Sequence, residues 1–268
     1  MTNYLNVPGG TIGYDVIGPA DGRLVVCAPG MGDIRQQYRF LAPLLASAGY
    51  RVATMDLRGH GDSSVGWDSY APEVVADDML ALVDELGGGP AVLVTNSYSP
   101  SMAIWVAAEA PEKVAGTVLI SMFTSNPKIN PIMRLISGLV MGSAGLWPTY
   151  YKSLYTAKPA DFAEYCAGLR ANLRQPGRMT AVKAMGTADK STANGRASEV
   201  SCPTLVIYGG KDPDFPDVPA EARTAAAMLS GTTARVEILP EAKHYPHVEE
   251  PDRVAEAVLP LLKEAFGA

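Results

Sequence analysis

Short apolar runs rich in β-formers alternate with stretches of helical periodicity along most of the chain. That alternation restricts the fold to parallel strands joined by crossover helices. Residues 24–28, 52–55, 92–94, 118–120, 205–208 and 236–239 read as strands, and most are apolar at every position, as strands covered on both faces must be. Residues 11–16 alternate instead and follow Pro8-Gly9-Gly10, which predicts an antiparallel hairpin at the leading edge of the sheet. Helical spacing marks 40–48, 74–86, 102–110, 220–229 and 254–266, with Gly87-Gly88-Gly89 closing the second of these. Residues 122–195 break the rhythm: no strand pattern is present, and Met, Tyr and Leu are scattered among Gly and Pro. The expectation is an α/β fold with a doubly wound, mostly parallel sheet and a helical insertion.

A chain of 268 residues is long enough to bury a large core, and its 26 Gly and 21 Pro fall short of a disordered composition. The balance of 22 basic against 28 acidic residues gives −6 with no basic run, so nucleic acid is not an expected partner. No apolar stretch reaches membrane-spanning length, and Met1-Thr2-Asn3-Tyr4 does not begin a secretory signal. Cys27, Cys166 and Cys202 have no metal-binding spacing and read as reduced thiols, so the expected location is cytoplasmic. Any catalytic imidazole must come from His60, His244 or His247, the three histidines of the chain.

The run Val92-Leu93-Val94-Thr95-Asn96-Ser97-Tyr98-Ser99-Pro100 passes from a strand straight into a helix, with proline in the first helical turn. Ser97 is placed on a tight elbow over the positive end of that helix, where a nucleophile generating negative charge is favoured. The plainer reading is a serine N-cap. Two further loops follow later strands: Tyr208-Gly209-Gly210-Lys211-Asp212-Pro213-Asp214 and Pro240-Glu241-Ala242-Lys243-His244-Tyr245-Pro246-His247. In an open parallel sheet, groups past the carboxyl ends of strands converge on one edge, so Ser97, Asp212 and His244 can meet. Singly, Asp212 reads as a turn former and His244 as a loop histidine. Together they supply what serine chemistry needs: a hydroxyl, a base to take its proton, and an acid to orient the base. Asp214 is a rival for the acid.

On these residues the chain resembles the α/β-hydrolase family over essentially its whole length, with Asp56-Leu57-Arg58-Gly59-His60-Gly61-Asp62-Ser63 as a further point of likeness. The resemblance implies a core of residues 1–121 and 196–268 and a helical cap or lid over 122–195. It gives the Arg-Gly-His-Gly loop a structural part, so His60, and likewise His247, are expected to be structural. It also implies an oxyanion hole from the backbone N–H groups of Tyr98 and of Met31, in the loop after the first central strand. Two departures stand out. Pro29 occupies the usual histidine position, and Thr95 and Ser99 replace the small Gly residues that flank the nucleophile in Gly-X-Ser-X-Gly. Thr95 is β-branched and is expected to push the helix or reshape the elbow.

The cap residues Phe123, Met133, Met141, Trp147, Tyr150 and Tyr155, with Met122, Tyr151, Met179 and Met185, form a candidate apolar pocket lining over Ser97; the plain alternative is packing within the cap itself. The expected function is a serine hydrolase, without metal or organic cofactor, acting on a small or medium ester or lactone. A small-molecule substrate is the expected partner, and the sequence sets no oligomeric state. Two alternatives stay open: a carbon–carbon hydrolase, lyase or cyclase using the same triad, and a ligand-binding regulatory protein with a slow or vestigial one.

Overall fold

A computed structural model describes residues 2–87, 89–127 and 130–267; Gly88 of the expected Gly87-Gly88-Gly89 stop lies outside them. The chain opens with β1 (Asn3–Val7), β2 (Gly10–Ile17), β3 (Leu24–Ala28) and β4 (Arg51–Met55). It continues with β5 (Ala91–Asn96), β6 (Val114–Ile120), β7 (Thr204–Gly209) and β8 (Arg235–Leu239). These eight strands form one sheet in the order β1-β2-β4-β3-β5-β6-β7-β8. The β1–β2 hairpin is antiparallel, and β2 also pairs antiparallel with β4; every later pairing is parallel.

Strand composition explains the layering. In β3, Val25 and Cys27 face one core while Leu24, Val26 and Ala28 face the other, and β5, β6 and β7 alternate in the same way. Both faces must therefore be covered, at roughly 1.5–3 kcal/mol for each large apolar side chain withdrawn from water. The crossover helices do this. Helix α1 (Leu41–Ser47) packs with the C-terminal helix on one face, whereas α2 (Pro72–Glu85) and α3 (Pro100–Glu109) pack together on the other. Both α2 and α3 start on proline, where a missing N–H costs nothing.

Between β6 and β7 the chain inserts α4 (Pro131–Met141), α5 (Trp147–Ser153), α6 (Phe162–Leu173), α7 (Arg178–Thr187) and the short α8 (Ser191–Asn194), with no strand among the described residues. Trp147, Tyr151, Phe162, Leu169 and Val182 close a third, separate apolar cluster there. Helix α4 contributes no buried residue, and Ile132 and Leu135 are 71% and 66% exposed. Helices α9 (Val218–Met228), α10 (Pro246–Glu249) and α11 (Pro251–Phe266) complete the chain. No described helix is long and apolar enough to cross a membrane. The three cysteines are free, and Cys202 lies just before β7.

The sheet order reverses between β3 and β5, since connections from β3 run one way to β4 and from β5 the other way to β6. At such a switch point the loops past neighbouring strands diverge and leave a crevice. The loop after β3 and the elbow after β5 carry Met31 and Ser97 to its two sides.

Candidate active site

Ser97 is held at φ 62°, a left-handed conformation that costs a non-glycine residue of order 1–3 kcal/mol. Its N–H donates to Ile120 O at 2.9 Å, which fixes the turn against β6. The N-cap of α3 is Ser99 rather than Ser97, so the plainer sequence reading of Ser97 does not hold. The expected distortion by Thr95 is also absent. Thr95 stays in register between Ala28 and Leu119, and its hydroxyl donates to Val118 O at 3.2 Å, so the extra bulk is absorbed within the sheet. Ser99 uses its hydroxyl to bond Pro29 O at 2.5 Å, tying the start of α3 to the loop opposite. Gly30 permits that approach: a Cβ there would come within 3.0 Å of Ser97 Cβ.

The loop after β3 is supported from several sides, which shows what replaces the histidine missing at Pro29. Gly32, at φ 71°, donates its N–H to His60 Nε2 at 2.9 Å, and its carbonyl accepts from Trp147 Nε1 at 2.9 Å. A Cβ on Gly32 would lie 2.1 Å from the Trp147 ring, so only glycine fits beneath that lid of indole. Asp33, fully buried, accepts from Gln37 Nε2 at 2.6 Å, Tyr151 Oη at 2.8 Å and Tyr165 Oη. Burial raises the Asp33 pKa against these donors. The N–H groups of Met31 and Tyr98 have no hydrogen-bond partner among the described residues, and both residues border the same cavity as Ser97.

His244 and Asp212 are brought together: Nδ1 lies 2.7 Å from Asp212 Oδ2, with both side chains buried. Asp214 Oδ2 is farther, at 3.7 Å, and its carboxylate accepts from Tyr150 Oη at 2.8 Å. Burial raises the Asp214 pKa, opposed by the His244 charge. For His244 itself burial works to lower the pKa, but the Asp212 charge and hydrogen bond, with Asp214 behind them, raise it to about 9. The His244 carbonyl is anchored to the elbow, accepting from Asn96 Nδ2 at 3.2 Å and from Ser121 Oγ at 3.0 Å. Ser121 is the other non-glycine residue at positive φ (47°) among the described residues, so a strained serine and the neighbour of a second hold this one carbonyl. No hydrogen bond joins Ser97 Oγ to His244 among the described residues; such contacts are commonly long before substrate binds.

His60 and His247 take structural places, as expected. His60 Nδ1 donates to Arg58 O at 2.8 Å, leaving Nε2 as the acceptor for Gly32, and burial lowers its pKa to about 4. His247 Nε2 donates to Gln37 Oε1 at 3.1 Å and stacks on Tyr38, with burial lowering its pKa to about 3. Asp212, Asp214 and His244 also present three potential metal-ligating atoms within 4.8 Å of one another. His244 Nδ1 and Asp212 Oδ2 already satisfy each other in that cluster.

Beside Ser97 lies a cavity of about 70 Å³ lined by Met31, Tyr98, Phe123, Pro127, Gly186 and Lys190. Of the cap residues expected to line it, only Phe123 does so. Trp147, Tyr151 and Tyr155 are spent on the third core, Met122 and Met185 on the main core, and Met133 is exposed. Their apolar character reflects packing between helices, which periodicity cannot tell from a pocket. Sequence reasoning missed Asn96, Ser121, Asp33 and Lys190. Asn96 had a usable signal, as the polar residue adjoining the elbow serine; Lys190 had none beyond being a cation in an apolar insertion.

An elbow serine at the switch point of this sheet, with an acid–histidine pair past later strands, defines a hydrolase-type scaffold. The chain belongs to the alpha/beta hydrolase family, whose sequence model matches residues 25–257, and is an enzyme of that family. It is 27% identical over 270 residues to the dihydrolipoyllysine-residue acetyltransferase component of the acetoin cleaving system of Pseudomonas putida, covering 96% of this chain and 68% of that one. Among solved structures it resembles the enol-lactonase from Burkholderia xenovorans LB400, with TM-score 0.81, 22% identity and coverage of 98% and 100%. A thermophilic esterase from Thermogutta terrifontis gives TM-score 0.78, 24% identity and 99% coverage of both chains. At these identities the structural likeness is one of fold.

Proposed function

We propose that this enzyme is a serine hydrolase that cleaves a small or medium, moderately apolar ester or lactone through an acyl-serine intermediate. The observation that carries the reading is the His244–Asp212 pair, whose backbone is bonded to the residue next to Ser97. With Nδ1–H directed at Asp212, His244 keeps the Nε2 lone pair for the Ser97 hydroxyl proton. Ser97 Oγ attacks the carbonyl carbon as that proton moves to Nε2, and the oxyanion is received by the N–H groups of Met31 and Tyr98. Each such donor is worth roughly 3–4 kcal/mol in the transition state. Collapse breaks the ester C–O bond, with the proton passing from Nε2 to the departing alcohol. Water repeats the sequence on the acyl-serine, and its proton returns through His244. Asp212 acts as the acid because it is closer to Nδ1 and fully buried, whereas Asp214 is engaged by Tyr150. No step requires a cofactor. The helices of 122–195 serve as the cap, held to the oxyanion loop through Trp147, Tyr151 and Tyr165.

The test is turnover of a panel of p-nitrophenyl esters, alongside fluorophosphonate labelling mapped by peptide mass. Labelling at Ser97, lost in Ser97→Ala and His244→Ala together with turnover, supports the assignment. An ester-cleaving Ser97→Ala variant sinks it. Turnover with no acyl adduct on intact-mass analysis moves the reaction toward carbon–carbon cleavage or lyase chemistry.

A further inference from the structure

Lys190 lies between α7 and α8, only 6% exposed, on the wall of the cavity that holds Ser97. Its Nζ stands 5.8 Å from the centroid of the Tyr98 ring and 5.9 Å from that of Phe123, two residues lining the same cavity. Among the described residues no carboxylate lies within ion-pair distance of it, and its ammonium has no hydrogen-bond acceptor. The adjacent Asp189 does not serve: its Oδ1 accepts from Asn126 Nδ2 at 2.5 Å and from Ser191 N at 2.9 Å. Burial lowers the Lys190 pKa, opposed only by Asp189. Two aromatic faces return part of the lost hydration, but an ammonium largely withdrawn from water without a counter-charge remains costly. A structural lysine of this kind would reach for solvent along its flexible stem. Here the lysine lines the cavity that Ser97 also lines.

We propose that Lys190 is the specificity residue of the site, and that the substrate is an ester or lactone carrying a carboxylate a few bonds from the scissile carbonyl. This rests on the ester or lactone reading given above. The missing counter-charge is then brought by the substrate, and a charge-assisted hydrogen bond in a water-poor cavity fixes the carbonyl against Ser97. Ser97 and Lys190 line one small cavity, so the spacer between carboxylate and scissile carbonyl is short. An overall charge of −6 repels anions at long range, which makes a local cation the element that selects for them.

The test compares monomethyl glutarate with methyl pentanoate by methanol release in the wild type, Lys190→Met and Lys190→Arg. The wild type is expected to favour the anionic ester. In Lys190→Met the ratio of kcat/KM values, anionic over neutral, falls about 30-fold or more, chiefly through KM, while Lys190→Arg keeps the preference. A ratio unchanged in Lys190→Met overturns the proposal, even if both rates drop, because a structural role moves the two substrates alike. A second readout needs no turnover: glutarate raises the melting temperature of Ser97→Ala but not of Ser97→Ala/Lys190→Met. If neither ester is cleaved yet this shift is seen, the ester reading fails and the anion site stands. If esters are cleaved through Ser97 with no shift and no change in ratio, the reverse holds.

Discussion

The loop after β8 and the loop after β4 each carry a buried histidine, His244 and His60, and the two are electrostatic opposites. His244 meets Asp212 at 2.7 Å and its pKa rises to about 9; His60 meets a peptide carbonyl and a peptide N–H, and burial lowers its pKa to about 4. Burial is the same, so the partner decides. A carboxylate stabilises the imidazolium that a general base must become. Two backbone groups hold a neutral ring as a spacer, and the ring in turn holds the loop after β3 at Gly32. In the proposed mechanism one loop carries the proton, and the other carries the geometry.

Exchanging the two histidines for alanine gives the sharpest separation. His244→Ala is expected to lower kcat/KM on any substrate of the enzyme by about 10⁴-fold or more, with little change in melting temperature. His60→Ala leaves Gly32 N–H and Arg58 C=O unpaired in the interior, costing about 2–4 kcal/mol in denaturant unfolding. Its activity falls by no more than the ~10²–10³-fold that one displaced oxyanion donor accounts for. Equal losses of activity would erase the distinction between the loops. Asp212→Asn comes next, with a kcat/KM loss of about 10³–10⁴-fold. In the wild type, kcat/KM rises with pH toward about 9, since His244 must be neutral to accept a proton. With the carboxylate gone, burial is left to dominate, and that limb moves to or below the ordinary histidine value.

The sheet and the order of its loops were legible because short, continuous apolar runs rich in β-branched residues, such as 92–94 and 118–120, alternate with segments of helical period and are bounded by turn residues. The candidate residues Ser97, Asp212 and His244 were legible as polar residues stationed at strand ends, and the chain's few histidines narrowed the choice of a proposed base. What stayed hidden depends on distances across the fold. Ser121 bonds a carbonyl on a residue far along the chain, and Asp33 gathers donors from α5 and α6. The choice between Asp212 and Asp214 needed the 2.7 and 3.7 Å separations, which no pattern encodes. The tyrosines of 122–195 misled because an aromatic core and an aromatic pocket wall are written with the same residues.

The contrast between the histidines also fixes how stability answers to pH. His60 and His247 are held neutral, with folded-state pKa values of about 4 and about 3, below the unfolded value near 6.5. The unfolded chain therefore binds more protons as pH falls from 6.5, and each histidine withdraws about 1.4 kcal/mol per pH unit down to its folded value. His244 has the opposite sign: its contribution is complete below 6.5 and is lost as pH rises through about 9. Urea unfolding between pH 4 and 9.5 should fall off at both ends, and His247→Gln should flatten the acid side alone. A slope unchanged in that variant shows that His247 is not held neutral.

The smallest effect is expected where the two carboxylates of one loop divide their work. Asp214 adds to the field that raises His244, but it stands 3.7 Å away, is bonded by Tyr150, and carries a pKa that burial itself raises. Replacing it by Asn keeps an oxygen for Tyr150 and removes only the more distant charge. The acid limb of kcat/KM should then move slightly to lower pH, with the plateau within about threefold of wild type. That outcome confines proton chemistry to Asp212. A plateau loss in Asp214→Asn comparable to that of Asp212→Asn would instead mean that His244 turns between the two acids during turnover, and the pair would have to be treated as one coupled group.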